Sequence, residues 1–86
     1  MPTNSGPPSN NLFVYHLPHT ADDAMLYKLF SPFGAILQVK VMRDSGGKCK
    51  GFGFVMMANW ISAYNAIQGL NGYKVENKHL QVSFKK

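Results

Sequence analysis

Lys50-Gly51-Phe52-Gly53-Phe54-Val55-Met56-Met57 is the segment from which the rest of the chain can be ordered. Aromatic and β-branched residues favour a pleated strand, and no proline or internal charge interrupts this run. A strand sends alternate side chains to opposite faces, so Phe52 and Phe54 project to one side while Gly53 and Val55 project to the other. Just upstream, Asp44-Ser45-Gly46-Gly47-Lys48 has the chemistry of a turn. Before that turn, Ile36 to Arg43 alternates, with Val39 and Val41 on one face and Gln38, Lys40 and Met42 on the other. The two runs read as a hairpin with a single core-facing side.

Downstream, Asn59 can cap a helix whose apolar face is Ala63, Ala66, Ile67 and Leu70, and Asn71-Gly72 stops it. Tyr73 to Val75 and Lys78 onward then form a small hairpin. It feeds a last strand in which Leu80, Val82 and Phe84 alternate with Gln81, Ser83 and Lys85. Toward the N-terminus, Leu26, Leu29, Phe30 and Phe33 recur at helical spacing, and Pro32 with Gly34 marks the helix end. Thr20 followed by Asp23 resembles a capping box, and Asp22 and Asp23 suit the positive end of the helix dipole. Leu12-Phe13-Val14-Tyr15 is the first strand, closed off by Leu17-Pro18. Residues 1–10 are rich in Pro, Gly, Ser and Asn and read as a flexible leader, with the domain proper spanning 11–86. The order is βαββαβ, an α+β fold of the ferredoxin-like kind: a four-stranded antiparallel sheet with two helices on one face.

The chain has 86 residues, 45% of them hydrophobic and 15% charged, enough apolar content for one small core. The single cysteine, Cys49, cannot close an internal disulfide and reads as an incidental loop residue. No His/Cys cluster has zinc spacing, so neither metal nor cofactor is expected. A net charge of +5 favours polyanionic partners without identifying one. No apolar run has the length of a membrane span, and the N-terminus lacks the pattern of a signal peptide, so the chain reads as soluble and intracellular, with no membrane partner. The leader and the end at Lys85-Lys86 suggest a piece of a longer protein, with a short natural protein as the alternative.

The fold leaves one sheet face open, and alternation places Phe13, Tyr15, Phe52 and Phe54 together on it. Two bland alternatives compete. If the faces were reversed, Leu12, Val14, Val39, Val41, Leu80 and Val82 would meet water instead. If another element or a partner protein covered the aromatics, an amphipathic terminal stretch would be expected, and neither end carries one. Trp60 lies on the helix side and reads as partial packing, a preference that exposure of its ring would reverse in favour of a protein contact.

Lys50 to Met57 resembles the octamer motif of the RNA-recognition motif family at seven of eight positions, and Leu12-Phe13-Val14-Tyr15-His16-Leu17 resembles its companion hexamer. The departures are Met57, which the alternation turns into the core, and His16, read as a peripheral strand-end residue. The resemblance implies single-stranded RNA as partner, with Phe13 and Phe54 stacking bases and Phe52 touching ribose or wedging between nucleotides. Lys50 would pair with a phosphate, and Tyr15, Lys40, Met42, Gln81, Ser83 and Lys85 would line the same face. Gly51 and Gly53 would keep the backbone unobstructed, or serve as strand twist and bulge residues.

More narrowly, Asn11 to Pro18, Leu29 to Gly34, Lys50 to Val55 and Asn71-Gly72-Tyr73 look like the C-terminal RNA-recognition motif of CELF/Bruno-like proteins, with ELAV-like proteins also similar. That similarity implies U-rich or UG-rich targets and a part in splicing, translation or decay of messenger RNA, in the nucleus, the cytoplasm or both. It further implies a monomeric domain, with additional RNA-recognition motifs or protein partners in a longer chain. An enzyme on the same scaffold, such as an acyl-phosphate hydrolase, would need an arginine in a phosphate-cradling loop and a convergent acid and base. Arg43 is the only arginine, and no such pair can be placed, so no enzymatic activity is expected.

Overall fold

Strands that are apolar on one side only need helices to cover that side, and the chain supplies them in alternation. The computed structural model describes residues 9–85. It runs β1 (Asn11–Tyr15), α1 (Asp23–Phe30), a short 3-10 turn (Ser31–Phe33), β2 (Ile36–Arg43) and β3 (Cys49–Met57). Then come α2 (Trp60–Leu70), β4 (Lys74–Val75), β5 (Lys78–His79) and β6 (Gln81–Phe84). The main sheet has the order β2-β3-β1-β6 with every pairing antiparallel, and β4 and β5 form a separate two-stranded ribbon. This is the ferredoxin-like α+β arrangement that the sequence predicts, with the ribbon set between α2 and the last strand.

The helix-facing side of the sheet is the core. Leu12 and Val14 of β1, Val55 and Met57 of β3 and Val82 of β6 are buried against Leu26 and Phe30 of α1 and Ala63, Ala66 and Ile67 of α2. Alanines at the α2 contact let that helix approach the sheet closely. Met57, where the octamer usually ends in an aromatic, is fully buried and belongs to packing. Leu37 departs from the alternation and is exposed, because the β2–β3 register shifts between Ile36 and Gln38 and leaves it as the extra residue of a bulge.

Three local expectations are corrected. The cap of α1 is Asp22, whose carboxylate accepts from the Met25 backbone N–H at 2.8 Å; the Thr20 hydroxyl instead donates to Glu76 at 3.0 Å. The chain is still turning at Pro18–Ala21, where the Ala21 N–H bonds the Pro18 carbonyl, so Thr20 stands outside the helix start. Asp23 in the first turn accepts from the Val41 N–H at 2.9 Å and so ties α1 to β2, an edge strand. Cys49 is not a loop residue but opens β3 and is buried, its sulfur accepting from the Gly51 N–H. Asn10, placed in the leader from sequence, exchanges hydrogen bonds with Met57 through both backbone and side chain. The leader residues 1–8 lie outside the described residues.

The cap of α2 is as expected: Asn59 Oδ1 accepts from the Ser62 N–H at 2.8 Å. Replacing an Asn N-cap by Ala leaves that amide without its partner, and Asn59→Ala is expected to lower stability by about 1 kcal/mol. Urea unfolding followed by circular dichroism checks this, as a fall in midpoint at unchanged slope.

Candidate nucleic-acid interface

The register of the two central strands assembles the open face. In the β1–β3 pair, Phe13 lies directly opposite Phe54 and Tyr15 opposite Phe52, so the four aromatics form two adjacent cross-strand pairs. Each is held from below by buried neighbours on its own strand, Leu12 and Val14 in β1 and Gly53 and Val55 in β3. Backbone pairing on both sides fixes the positions of these strands, so the rings belong to a rigid platform.

The rings divide into two orientations. Phe13 and Phe54 are nearly parallel, with centroids 5.1 Å apart and planes 9° apart. Phe52 stands almost perpendicular to both, at 79° to Phe13 and 85° to Phe54. Tyr15 tilts at 58° against Phe13 with centroids only 4.3 Å apart. The stacked pair and the upright ring beside it together offer flat apolar surface on which planar groups can stack.

Polar and cationic side chains surround the rings. Lys40 lies opposite Phe54 on β2, and Lys85 places its ammonium 5.5 Å from the Phe54 ring centroid, close enough for a cation–π contact. Ser83 pairs with Phe13 and Gln81 with Tyr15 on β6. Lys50 is exposed in β3, on the far side of the irregularity at Gly51 from Phe52, and Met42 is half-buried on β2. Register and ring contacts therefore bring eight of the ten residues expected from sequence to one face, and Met42 and Lys50 lie where the β2–β3 register shifts at its end.

Three residues on that face were missed. Asn11, Gln38 and Met56 join Lys40, Phe54 and Lys85 around a depression of about 320 Å³ at the β2 side. Their signal is present, since Gln38 shares the alternation of Lys40, and Met56 that of Phe54, but Gln38 lies outside the motifs and Met56 at the octamer position where any residue is accepted. Gly53 is corrected in the other direction. It faces the helices and is buried, so it cannot clear the open face. Gly51 has φ +100° and its carbonyl accepts from the Leu17 N–H, which makes it the backbone irregularity at the start of β3. Trp60 is 50% exposed, which shifts the preference from packing alone toward a protein contact. Among the described residues, no group of three or more His, Cys, Asp or Glu could hold a metal ion. No helix among them is long and apolar enough to cross a membrane.

The structure matches RNA recognition domains 1 and 2 of Sex-lethal from Drosophila melanogaster at TM-score 0.87 and 38% identity, covering 91% of this chain and 50% of that one. It matches the Sxl-lethal protein/RNA complex at the same TM-score and identity, covering 91% and 47%. The chain thus spans about half the length of these two matched chains. It also matches the Rna15 RRM with bound GU RNA at TM-score 0.86 and 25% identity, covering 92% and 85%. The second RRM of the yeast poly(U)-binding protein Pub1 matches at TM-score 0.79 and 31% identity, covering 88% and 93%. The sequence model of the RNA recognition motif covers residues 12–81, from the first strand with its aromatic pair into the last strand of the sheet, and the chain belongs to the RNA recognition motif family.

Proposed function

We propose that this chain binds single-stranded RNA on the open sheet face, with a preference for U-rich or UG-rich sequence, as a monomeric module of post-transcriptional regulation. The observation that carries the reading is the parallel Phe13–Phe54 pair with Phe52 upright beside it, on a sheet face that neither helix covers. Unpaired bases offer accessible π-faces, and stacking on an aromatic contributes about 1–3 kcal/mol per base. Lys40, Lys50 and Lys85 around the rings supply the cations that backbone phosphates require.

The sequence preference draws support from the resemblance to CELF/Bruno-like proteins, and from similarity to a domain bound to GU RNA and to one from a poly(U)-binding protein. Regulation of splicing, translation or decay, in nucleus or cytoplasm and alongside further RNA-recognition motifs, extends the same resemblance. The test is fluorescence anisotropy with labelled U-rich, UG-rich and C-rich oligonucleotides at two salt concentrations. U-rich or UG-rich RNA is expected to bind more tightly than C-rich RNA, and binding is expected to weaken as salt rises. Equal affinity for all three would remove the sequence preference, and no binding at low salt would remove the function.

A protein-contact role on the same scaffold is the second reading, and exposure of Trp60, Ile61 and Tyr64 on α2 favours it. That surface lies on a helix and the RNA platform on the opposite side of the sheet, so the two readings make separable demands on the chain.

A further inference from the structure

A groove beside the edge strand β6 is not used by the aromatic platforms. It is an open cavity of about 570 Å³ between the end of β1 and the β4–β5 ribbon, and His16, Asn71, Asn77, Lys78, His79 and Gln81 supply its polar wall. A smaller depression of about 150 Å³, lined by Tyr15, Ser83 and again Asn71 and Gln81, adjoins it. The two share residues, so the surface leads from Tyr15 on the platform across β6 into the groove.

The groove's chemistry is specific. Asn71 Oδ1 accepts from the Val82 N–H at 3.0 Å, which fixes the orientation of the amide and leaves its NH₂ as a donor. His16 Nδ1 lies 3.3 Å from the His79 carbonyl, which can only accept, so Nδ1 carries the proton and Nε2 of the neutral ring is left as an acceptor. His16 holds a left-handed backbone, φ 67°, a conformation that a non-glycine residue adopts at a cost and that here turns its ring off the end of β1. Lys78 and the two histidines are exposed, and no acidic residue lines the cavity. Glu76, the nearby carboxylate of the ribbon, accepts the Thr20 hydroxyl instead.

We infer that this groove is a subsite for a further nucleotide of the same RNA strand, beyond those stacked on Phe13 and Phe54. Its base meets the fixed donor of Asn71, the acceptor of His16 and the amide of Gln81, and its phosphate meets Lys78. A surface with both a fixed donor and a fixed acceptor can discriminate base edges, which stacking alone does poorly. The inference rests on RNA binding by the sheet face and adds a location and a length to it.

The test compares a UG-rich trinucleotide with a UG-rich heptanucleotide on the whole chain, by titration followed in ¹H–¹⁵N spectra. Two variants are used. His16→Gly removes the ring while suiting the left-handed backbone, so folding is retained. Lys78→Gln removes only the charge. In the wild type the heptanucleotide is expected to shift the amide signals of Asn71, Lys78 and His79, and the trinucleotide to leave them in place. Each variant is expected to bind the heptanucleotide about fivefold more weakly with unchanged trinucleotide affinity. Lys78→Gln is further expected to flatten the heptanucleotide's salt dependence by about 0.7 in log–log slope. Heptanucleotide affinity unchanged in both variants, or equal losses for the two lengths, would overturn the subsite while leaving the platform reading intact. Failure of the wild type to bind either oligonucleotide would overturn the platform reading itself.

Discussion

Phe13→Ala and Phe54→Ala are each expected to weaken binding of U-rich RNA at least about tenfold, and the double variant to weaken it further, by less than the product of the two single losses, while the domain stays folded. Each ring is worth one stacked base at about 1–3 kcal/mol, and 1.4 kcal/mol is a factor of ten, so the loss of both lies well outside the precision of a titration. Stability changes far less. The rings lie on the open face, and the cross-strand aromatic contact they share contributes only about 0.2–1 kcal/mol, whereas Leu12, Val14 and Val55 beneath them carry the packing. The two effects are read separately, by anisotropy for affinity and by thermal unfolding for the fold. Native unfolding with undiminished affinity would show that bases do not stack on these rings. The parallel geometry at 5.1 Å makes a further point testable, because removing one ring also removes a wall of its neighbour's platform. The double variant should therefore lose less than the sum of the two singles.

The comparison of sequence with structure turns on what alternation can and cannot resolve. Period-two patterning in β1, β3 and β6 assigned Phe13, Tyr15, Phe52, Phe54, Gln81 and Ser83 to one face, because a strand's geometry fixes side-chain direction without tertiary information. The same pattern puts Gln38 and Met56 on that face, but Gln38 lies outside the family motifs and Met56 occupies the octamer position that accepts any residue, so neither stands out as a contact. Helix starts were harder. Thr20 and Asp22 both suit a cap by type, and only the turn at Pro18–Ala21 selects Asp22. The burial of Cys49 was invisible for a related reason. A five-residue turn was read as reaching Lys48 with Cys49 beyond it as loop, but pairing of Arg43 with Cys49 draws that residue into β3. The β6-edge groove could not be read at all, since it joins Asn71, Lys78 and His16 from segments that only the fold brings together.

Gly53 presents the sharpest conflict between motif and packing, and Gly53→Ala is expected to destabilise the domain by about 2–3 kcal/mol. A methyl group there would lie 2.6 Å from the Lys40 carbonyl oxygen, 3.2 Å from the Val41 Cα and 3.2 Å from a methyl carbon of Leu26. The first two are backbone atoms of a hydrogen-bonded neighbour strand and cannot rotate away, so relief requires β2 to shift against β3. Overpacking of this kind costs about 1–3 kcal/mol, and the rigid neighbours put Gly53 at the upper end. An opposing effect exists, because alanine restricts the unfolded chain and stabilises a compatible strand position by about 0.4–1 kcal/mol. It is smaller than the clash, and the sign stays destabilising. If Gly53 instead served to admit RNA, the alanine variant would keep its stability and lose affinity. Packing against Leu26 and β2 demands the reverse pattern: a clear drop in the urea midpoint, with RNA affinity of the folded protein close to that of the wild type under conditions where it remains native. Measuring both quantities on the one variant decides which face of the strand the glycine serves, since a side chain on the helix side cannot reach a base on the other.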